Sequence, residues 1–509
     1  ISEIRRDLSP QFSQVSNSNT RRKSLENGVE ILVRGTVQGV GFRPFVFKLA
    51  SRYTISGTVT NTSEGVVIRA AGARIFSFIE ALSAHAPPLA RIDACSHQPL
   101  DEPLQADSFT IVPSRISTSS RANIPPDISL CDDCFAELTN PADRRFGYPF
   151  INCTNCGPRF SIIESIPYDR PKTSMKLFAM CADCSREYLD PMDRRFHAQP
   201  NACPVCGPAI SLHDNQGREL DGADVIEAAI TAIAQGKIVA IRGLGGFHLC
   251  VDGCSAQAVA TLRRRKNRPD KPLAIMVKDL PQAARLCRLS DQEKATLGSP
   301  QHPIVLLRPR PNSALAENLA PEMSDIGLML PYTPLHHLLF AHPDCPAALV
   351  MTSGNMSGEP ICTSNEDALS RLAGVADLFL FHNRDIVTRV DDSVVKRMAG
   401  EIRTFRRARG YVPEPLHIPQ ELPEFIGCGG GLKSTFSLAR GTSIYPSQHI
   451  GDLFNTASLR FYSESVANLK RLYEIEPVAA ACDLHPDYLS SHFARDLGLP
   501  LYRIQHHHA

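Results

Sequence analysis

The chain has 509 residues, and its 54 Lys and Arg against 53 Asp and Glu give a formal net charge of +1. This length predicts three or four domains, and a charge near zero provides no global field that would favour nucleic acid as a partner. Because no apolar run approaches the length of a membrane span and residues 1–26 lack the apolar core of a signal peptide, we expect a cytoplasmic protein that does not enter a membrane.

Residues 1–26 are rich in Ser, Asn and Arg and are predicted to form a disordered leader. A first domain is predicted at residues 27–115. In it a strand at 29–37 runs through a glycine-containing loop into a helix that begins at Pro44, and such a loop exposes backbone N–H groups to an anion. Arg43, at the rim of the loop, could direct two donors onto a phosphate. Four strands and a helix follow, in an order that predicts a ferredoxin-like α/β sandwich: 55–62, 66–72, 73–85 (the helix), 91–98 and 108–113.

Two motifs of this domain closely resemble those of acylphosphatase: Gly35-x-Val37-Gln38-Gly39-Val40-Gly41-Phe42-Arg43 and Thr60-Asn61-x-x-x-Gly65-Val66. The resemblance implies that Arg43 holds the phosphate of an acyl phosphate and that Asn61 positions the attacking water. The alternative is a degenerate domain that keeps the fold without turnover, and the presence of both residues disfavours it.

Four Cys-x-x-Cys pairs lie in a second predicted domain, residues 116–210, and a shift of 50 residues places the first two pairs on the last two. A duplication of this kind indicates one structural unit built twice. Eighteen residues separate the two pairs of each copy, a spacing typical of zinc sites in which two such turns complete a closed shell of four thiolates. We therefore predict two structural zinc ions, bound by Cys131, Cys134, Cys153 and Cys156 and by Cys181, Cys184, Cys203 and Cys206.

Disulfides or redox dithiols are the alternative interpretation of these cysteines, and eight thiols in two matched copies suit neither. The sequence leaves open whether each zinc ion is bound within one copy or between the copies, although the duplication favours the first arrangement. Metal binding would supply much of the folding free energy of so small a unit.

A third domain is predicted at residues 211–415, with a strand at 237–242 and a flexible connection at 243–248. A basic run that ends at Lys271 leads into an apolar strand at 272–277. This order puts the last basic residues at the mouth of a strand, where α/β folds bind ligands.

Four motifs of the third domain together resemble the YrdC-type domain: Lys266-x-Arg268-Pro269-x-Lys271-Pro272-Leu273, Ser353-Gly354-Asn355, Asp391-Asp392-Ser393 and Arg407-x-Arg409-Gly410. That family binds ATP with Mg²⁺ and joins a carbamate-type carboxyl group to AMP. The resemblance implies that the following residues contact the triphosphate or the acyl-adenylate: Lys266, Arg268, Lys271, Ser353, Asn355 and Arg409. Cations there would stabilise the charge that develops on the α-phosphate as pyrophosphate leaves.

A fourth segment is predicted at residues 416–509. Its glycine-rich stretch is not a Walker A loop, because Leu432 occupies the position of the glycine that must precede Lys433. Three motifs instead resemble the actin-like ATPase domain of the TsaD type: Ile426-Gly427-Cys428-Gly429-Gly430-Gly431, His449-Ile450-Gly451-Asp452 and Cys482-Asp483-Leu484-His485-Pro486-Asp487-Tyr488.

In the TsaD-type family a His-x-x-x-His pair binds a catalytic divalent metal, which implies that His506 is the first ligand and that the second would lie beyond Ala509. The run His506-His507-His508 has the alternative interpretation of a tag remnant, which the natural strand end before it disfavours. We therefore expect the segment to be the N-terminal part of that domain, truncated before its second lobe.

The order of acylphosphatase-like, duplicated zinc, YrdC-like and TsaD-like domains resembles one family, the HypF carbamoyltransferases of nickel–iron-hydrogenase maturation, over residues 27–509. The resemblance implies an enzyme that cleaves carbamoyl phosphate to carbamate and joins the carbamate to AMP with release of pyrophosphate. It then transfers the carbamoyl group to the C-terminal cysteine of its partner HypE, for the synthesis of cyanide ligands. Carbamate decomposes readily in water, so enclosed passages between the sites are expected.

Two other functions are weighed against this one. A tRNA-modifying threonylcarbamoyl enzyme shares the last two domain types but leaves the acylphosphatase-like domain unexplained. A non-catalytic zinc scaffold leaves Arg43, Asn61 and Lys266 without a role. Pyrophosphate release from ATP separates the three functions, because it would require carbamoyl phosphate in the first, threonine with bicarbonate in the second, and would not occur in the third.

Overall fold

The computed structural model describes residues 27–62, 64–87, 89–112, 124–166, 168–220 and 224–508. The predicted disordered leader and the last residue of the strand predicted at 108–113 lie outside these ranges. Within them the strands form three sheets, of five, ten and four strands. No helix in the described ranges combines the length and the apolar character that a membrane crossing requires.

The first sheet carries the glycine-containing loop. Its domain consists of β1 (Val29–Thr36), α1 (Phe42–Tyr53), β2 (Ser56–Thr62), β3 (Gly65–Ala71), α2 (Ile75–Ala84), β4 (Arg91–Pro99) and β5 (Phe109–Ile111). The strand order is β4-β1-β3-β2-β5, and β1 pairs antiparallel with both β3 and β4. Val29, Ile31 and Val33 alternate with more exposed residues along β1, as expected for a strand with one face on the core. The predicted ferredoxin-like sandwich is confirmed.

The duplicated cysteine region contains little regular structure. Its helices are α3 (Asp132–Thr139) and α4 (Ala182–Leu189), and its 3₁₀ helices are Phe160–Ile162, Arg170–Lys172 and Ser174–Leu177. Each α-helix begins directly after the first cysteine of a copy. Each copy also repeats one backbone bond, because Gly147 N donates to Leu138 O at 2.9 Å and His197 N donates to Tyr188 O at 3.0 Å. The two copies therefore share one backbone design, with most of the chain in turns.

The third domain is built on the ten-stranded mixed sheet. Its elements, in chain order, are β6 (Ile210–Asp214), α5 (Val225–Ala234), β7 (Val239–Arg242), β8 (Phe247–Asp252), α6 (Ala256–Lys266), β9 (Ile275–Met276), α7 (Leu280–Leu286), α8 (Asp291–Leu297), β10 (Ile304–Leu307), β11 (Ile326–Met329), α9 (Pro334–Ala341), β12 (Leu349–Ser353), α10 (Asn365–Leu372), β13 (Leu378–His382), β14 (Val394–Met398) and β15 (Glu401–Arg406). The strand order is β15-β14-β10-β11-β9-β12-β8-β7-β13-β6.

Both faces of this sheet are covered. Along β8, Leu249 and Val251 belong to one buried apolar cluster and Cys250 belongs to another. Successive side chains of a strand point to opposite faces, so the two clusters lie on the two sides of the sheet. Strands covered on both sides are buried along nearly their whole length, which is why β7 and β8 show no alternation of buried and exposed residues.

The flexible connection predicted at 243–248 is wrong. Residues 243–246 form a closed turn in which Gly243 N donates to Gly246 O at 2.9 Å, and the next two residues already belong to β8. A Cβ on Gly245 would lie 2.4 Å from Val390 O, and one on Gly246 would lie 2.5 Å from Ile361 Cγ2. These glycines therefore permit close packing of the backbone and do not make the chain flexible.

The fourth segment forms a four-stranded sheet with helices. Its elements are β16 (Leu416–Gly427), β17 (Ser437–Pro446), α11 (Thr456–Tyr473), β18 (Ala479–Cys482), α12 (Leu489–Asp496) and β19 (Leu501–Arg503). The strand order is β17-β16-β18-β19. Its buried cluster includes Phe160 and Tyr168 of the cysteine region and Val412, which follows the last strand of the third domain. The segment therefore shares one core with the parts of the chain that precede it.

Candidate active sites and zinc centres

The eight cysteines form two separate four-sulfur groups. In each group the Sγ atoms lie within 4.8 Å of one another, and the groups are Cys131, Cys134, Cys153, Cys156 and Cys181, Cys184, Cys203, Cys206. Neighbouring sulfurs are 3.5–3.8 Å apart in the first group and 3.6–3.7 Å apart in the second. A tetrahedron with Zn–S bonds of about 2.3 Å has edges of about 3.8 Å. The cysteines therefore fit two zinc ions, each held within one copy, as the duplication favoured.

The two copies are joined by arginines that cross between them. Arg145 of the first copy donates to both carboxylate oxygens of Glu187 in the second, at 3.1 and 2.5 Å, and Arg195 of the second pairs with Glu137 in the first. Their neighbours reach the thiolates: Arg144 Nη2 lies 3.3 Å from Cys184 Sγ, and Arg194 Nη1 lies 3.0 Å from Cys134 Sγ. Each copy thus supplies positive charge to the zinc ligands of the other.

The predicted phosphate loop, the glycine-containing stretch at residues 37–41, lies between β1 and α1. Gly39 and Gly41 have φ values of 69° and 74°, which glycine adopts without strain, and the helix begins immediately after them. Arg43 and Asn61 are both buried, and Asn61 Oδ1 accepts from Arg43 Nε at 3.2 Å and Nη2 at 3.3 Å when its amide is oriented to satisfy both groups. Burial lowers the pKa of Arg43, while Asp169 partly offsets the effect. The two residues that sequence reasoning paired are therefore in contact.

The duplicated cysteine region, called the zinc region from here on, covers this loop. The cavity around Arg43 is lined by residues of the loop and of α1 on one side and by zinc-region residues on the other: Thr154, Arg159, Tyr168, Phe196, His197, Ala198 and Gln199. Arg159 Nε donates to Gly39 O at 3.0 Å. A Cβ on Gly39 would lie 3.0 Å from the Tyr168 ring. The loop therefore faces the zinc region at van der Waals distance.

A second cavity, of about 520 Å³, lies between the third domain and the fourth segment. The end of α6 brings Lys266 to the loop that follows β12. Its Nζ donates to Ser353 O, to Asn355 O at 2.6 Å and to Asn355 Oδ1 at 2.9 Å, and Ser353 Oγ donates to the same Oδ1 at 2.7 Å. Three predicted site residues thus form one hydrogen-bonded cluster in the wall of the cavity.

Arg268 and Lys271 also line this cavity. Burial, reinforced by Arg268, lowers the pKa of Lys266 to about 7, and burial with Arg406 lowers the pKa of Arg268 to about 10. Lys271 Nζ is 3.8 Å from Asp452 Oδ2. Cations that disfavour one another in this way are stabilised when an anion enters between them.

Arg409 does not line the cavity. Its guanidinium lies 3.4 Å from the Tyr332 ring, donates from Nε to Asp392 Oδ1 at 2.7 Å, and donates to two backbone carbonyl groups at 2.9 Å. Burial alone would raise the pKa of Asp392, but Arg409 and His248 hold it well below its usual range. Asp392 does line the cavity, so Arg409 lies behind that carboxylate.

Sequence reasoning missed the contribution of the fourth segment. Lys433, His449, Asp452 and Phe461 line the cavity opposite the third domain. Lys433 belongs to the stretch that does not fit a Walker A loop, and the motif that contains His449 and Asp452 predicts no role for either residue. Burial and Arg406 lower the pKa of His449 to about 4, so its imidazole is neutral near pH 7.

His506 lies at the exposed end of the fourth segment. Its backbone N and its Nδ1 contact Asp483 Oδ2 at 2.9 and 2.6 Å, which leaves Nε2 as the nitrogen for a metal. Among the described residues, groups of three or more metal-ligating side chains occur only at the two cysteine sets. A magnesium ion in the 520 Å³ cavity would therefore take oxygens from the nucleotide as well as from a carboxylate such as Asp391.

Four family profiles match the chain. Acylphosphatase matches residues 29–111, the HypF finger matches 130–163 and 180–213, the Sua5/YciO/YrdC family (described as telomere recombination) matches 231–408, and the HypF Kae1-like domain matches 420–509. These matches confirm the predicted fold class, in which an acylphosphatase domain, a duplicated zinc module, a YrdC-like domain and an actin-like ATPase-type domain follow one another.

Relatives match almost the whole chain. Carbamoyltransferase HypF of Synechocystis is 48% identical over 486 residues, which cover 94% of this chain and 63% of the relative. Carbamoyltransferase HypF2 of Cupriavidus necator is 46% identical over 505 residues, which cover 94% and 62%. The chain therefore spans less than two thirds of the length of these relatives.

Two solved structures have the same arrangement of domains. A crystal structure of full-length HypF in the phosphate- and nucleotide-bound form is 46% identical, with a TM-score of 0.90 over 94% of this chain and 63% of that one. The crystal structure of T. kodakarensis HypF is 41% identical, with a TM-score of 0.87 over 94% and 62%.

Proposed function

Because this chain belongs to the HypF family of carbamoyltransferases, we propose that it cleaves carbamoyl phosphate and joins the resulting carbamate to AMP. The observation that carries the proposal is the presence, in one chain, of a phosphate loop closed by the zinc region and a cation-lined cavity of about 520 Å³. The match to a family member crystallised with phosphate and nucleotide supports it.

The first step uses the loop at Arg43. The guanidinium binds the phosphate of carbamoyl phosphate in a fork geometry, with help from backbone N–H groups at the start of α1. Asn61, held against Arg43 at 3.2 Å, orients a water molecule for attack on phosphorus. The P–O bond to the carbamoyl group breaks, and carbamate and inorganic phosphate are formed.

The second step uses the cavity around Lys266. A carbamate oxygen attacks the α-phosphorus of ATP, the bond to the β-phosphate oxygen breaks, and pyrophosphate leaves; a bound Mg²⁺ would neutralise part of its charge. Lys266, Arg268 and Lys433 stabilise the charge that accumulates on the phosphates, and Ser353 with Asn355 holds Lys266 in place. The reaction makes this enzyme a ligase as well as a transferase.

The third step is the transfer of the carbamoyl group. The carbamoyl group passes from AMP to the C-terminal cysteine of HypE, on the route to cyanide ligands of a nickel–iron hydrogenase. His506, oriented by Asp483, would supply one ligand to a divalent metal that binds the nucleotide phosphates. A cytoplasmic location is proposed, since a reducing compartment keeps the zinc thiolates available.

The instability of carbamate explains why the sites share one chain. The zinc region covers the first site, and a further cavity between that region and the third domain is lined by Phe150, Pro158, Arg242 and Arg384. A passage through this cavity would shield carbamate from bulk water.

Pyrophosphate release from ATP tests the function. We expect release that depends on carbamoyl phosphate and is not supported by threonine with bicarbonate, since only the former is cleaved at Arg43. The reverse dependence would favour a threonylcarbamoyl enzyme, and no release with either would favour a scaffold.

Arg43→Ala provides the matched variant. We expect it to abolish cleavage of carbamoyl phosphate while the circular dichroism spectrum and bound zinc remain those of the parent. Cleavage at the parent rate would show that Arg43 does not hold the phosphate.

A further inference from the structure

The two zinc copies differ at one strained position. Residue 147 of the first copy is glycine with φ 67°, and its equivalent in the second copy, fifty residues on, is His197 with φ 54°. The same backbone bond holds both, from Gly147 N to Leu138 O and from His197 N to Tyr188 O. Glycine occupies the left-handed region freely, whereas a residue with a Cβ is strained there. The second copy therefore keeps a side chain where the fold favours none.

The imidazole of His197 is held over the phosphate loop. It lines the same cavity as Arg43, and it packs between the ring of Tyr188, at 5.0 Å between centroids and 19° between planes, and the ring of Phe196, at 4.3 Å. Neither ring nitrogen hydrogen-bonds to another residue that the structure describes, while Gln199 Nε2 donates to the His197 backbone oxygen at 2.8 Å. The ring is thus fixed in place with its polar atoms unused.

His197 is neutral near pH 7. Burial and the nearby Arg43 cation lower its pKa to about 4. A neutral imidazole offers one N–H donor and one acceptor nitrogen. The carbamoyl group carries the complementary pair, an NH₂ donor and a carbonyl acceptor, whereas the acetyl group of acetyl phosphate has a methyl group in place of the NH₂.

We propose that His197 contacts the carbamoyl end of a substrate whose phosphate is held at Arg43, and that this contact makes the loop selective for carbamoyl phosphate over acyl phosphates that lack an NH₂ group. The inference rests on the function proposed above for the first site. No proton moves to His197 in the step, because carbamate leaves as an anion. Strain that persists at a ligand-facing position is consistent with a functional constraint.

His197→Gly tests the proposal, because it restores the residue of the first copy and removes the strain. We expect kcat/KM for carbamoyl phosphate to fall roughly tenfold or more relative to acetyl phosphate, as for other sites built to hydrogen-bond a substrate N–H. Inhibition by inorganic phosphate, which reports on Arg43, should change little. His197→Asn should recover part of the selectivity, since Asn tolerates left-handed φ and offers an amide oxygen and NH₂ group.

Gly147→His is the matched control. It places the same side chain at the equivalent, exposed position of the first copy, where a Cβ meets nothing within 4 Å. The ratio of kcat/KM for carbamoyl phosphate to kcat/KM for acetyl phosphate should stay at the parent value. If the parent is active and His197→Gly leaves the ratio of the two kcat/KM values unchanged, the role of His197 is overturned and the proposed first step is not. A parent that cleaves neither substrate overturns the proposed first step and this inference with it.

Discussion

Lys266 shows how burial prepares one side chain for an anion. Its ammonium group is surrounded by oxygen acceptors from residues 353 and 355, yet burial and Arg268 lower its pKa to about 7. A triphosphate beside it would favour the charged form and raise that pKa. The nucleotide complex would then bind more protons than the free protein at pH values between about 7 and the raised pKa.

We predict from this that ATP binds with uptake of a proton at pH 8. Because the free protein is the less protonated form there, affinity should fall as pH rises from 7 to 9, by about tenfold for each unit by which the pKa is raised. Calorimetry in two buffers of different ionisation enthalpy measures the uptake. Lys266→Met should bind ATP without proton uptake. A binding heat of the parent that does not depend on the buffer would contradict the prediction.

Arg409 illustrates a limit of motif reasoning at the scale of a residue. Motif position grouped it with Lys266 as a phosphate ligand, and both are buried cations. Only the packing distinguishes them, because Arg409 donates to Asp392 and backbone carbonyl groups behind the cavity wall. Its contact with nucleotide stays a prediction, and through Asp392 it has a clear role in holding that carboxylate.

At the scale of the element, the duplication produces a pair of zinc units that depend on each other. The guanidinium of Arg145 is buried and bonds Glu187, Asn201 Oδ1 at 3.0 Å and Ala202 O at 2.9 Å, all in the second copy. Arginines lower the pKa of Glu187 to about 2 in spite of its burial. Neither unit can lose its arginines without leaving buried acceptors unpaired in the other.

Arg145→Ala should therefore destabilise the copy that does not contain it. We expect a loss of about 2 kcal/mol in the free energy of unfolding, because Asn201 Oδ1 and Ala202 O lose their buried donor, while Arg144 still pairs with Glu187. We also expect faster release of one zinc ion of the two to a colorimetric chelator. Arg186→Ala is the control, because its pair with Asp183 is exposed and should cost well under about 1 kcal/mol. Equal zinc release rates in both variants would contradict the conclusion that the arginines of each copy stabilise the zinc site of the other.

At the scale of the whole molecule, the sites are completed by parts of the chain that lie far apart in sequence. The zinc region closes the phosphate loop of the first domain, and the fourth segment closes the cavity of the third. Asn455 Nδ2 of the fourth segment donates to Gly358 O of the third domain at 2.9 Å. A buried cluster common to the zinc region and the fourth segment fixes these boundaries.

Lys433→Ala tests whether the fourth segment contributes to nucleotide binding. Loss of a cation from the cavity wall should weaken ATP binding about tenfold, or about 1.4 kcal/mol, with a smaller effect at high salt. Lys294→Ala removes an exposed lysine outside the cavity and should leave affinity unchanged. If both variants bind ATP as the parent does, Lys433 contributes no charge to the site.

The sequence by itself determined the features that depend on short separations. Cysteines three residues apart, a fifty-residue repeat and a glycine loop between a strand and a helix are local, and they predicted the two four-sulfur shells and the loop beside Arg43. The resemblance to known families supplied the roles of Arg43 and Asn61 and the identity of the domains. Tertiary structure alone decided which copy's arginines serve which zinc ligands, that His197 lies over the phosphate loop, and that Lys433 faces the cavity. The reason is physical: these contacts join residues from about 40 to more than 150 positions apart, and only the packing of the shared cores brings such distant segments together.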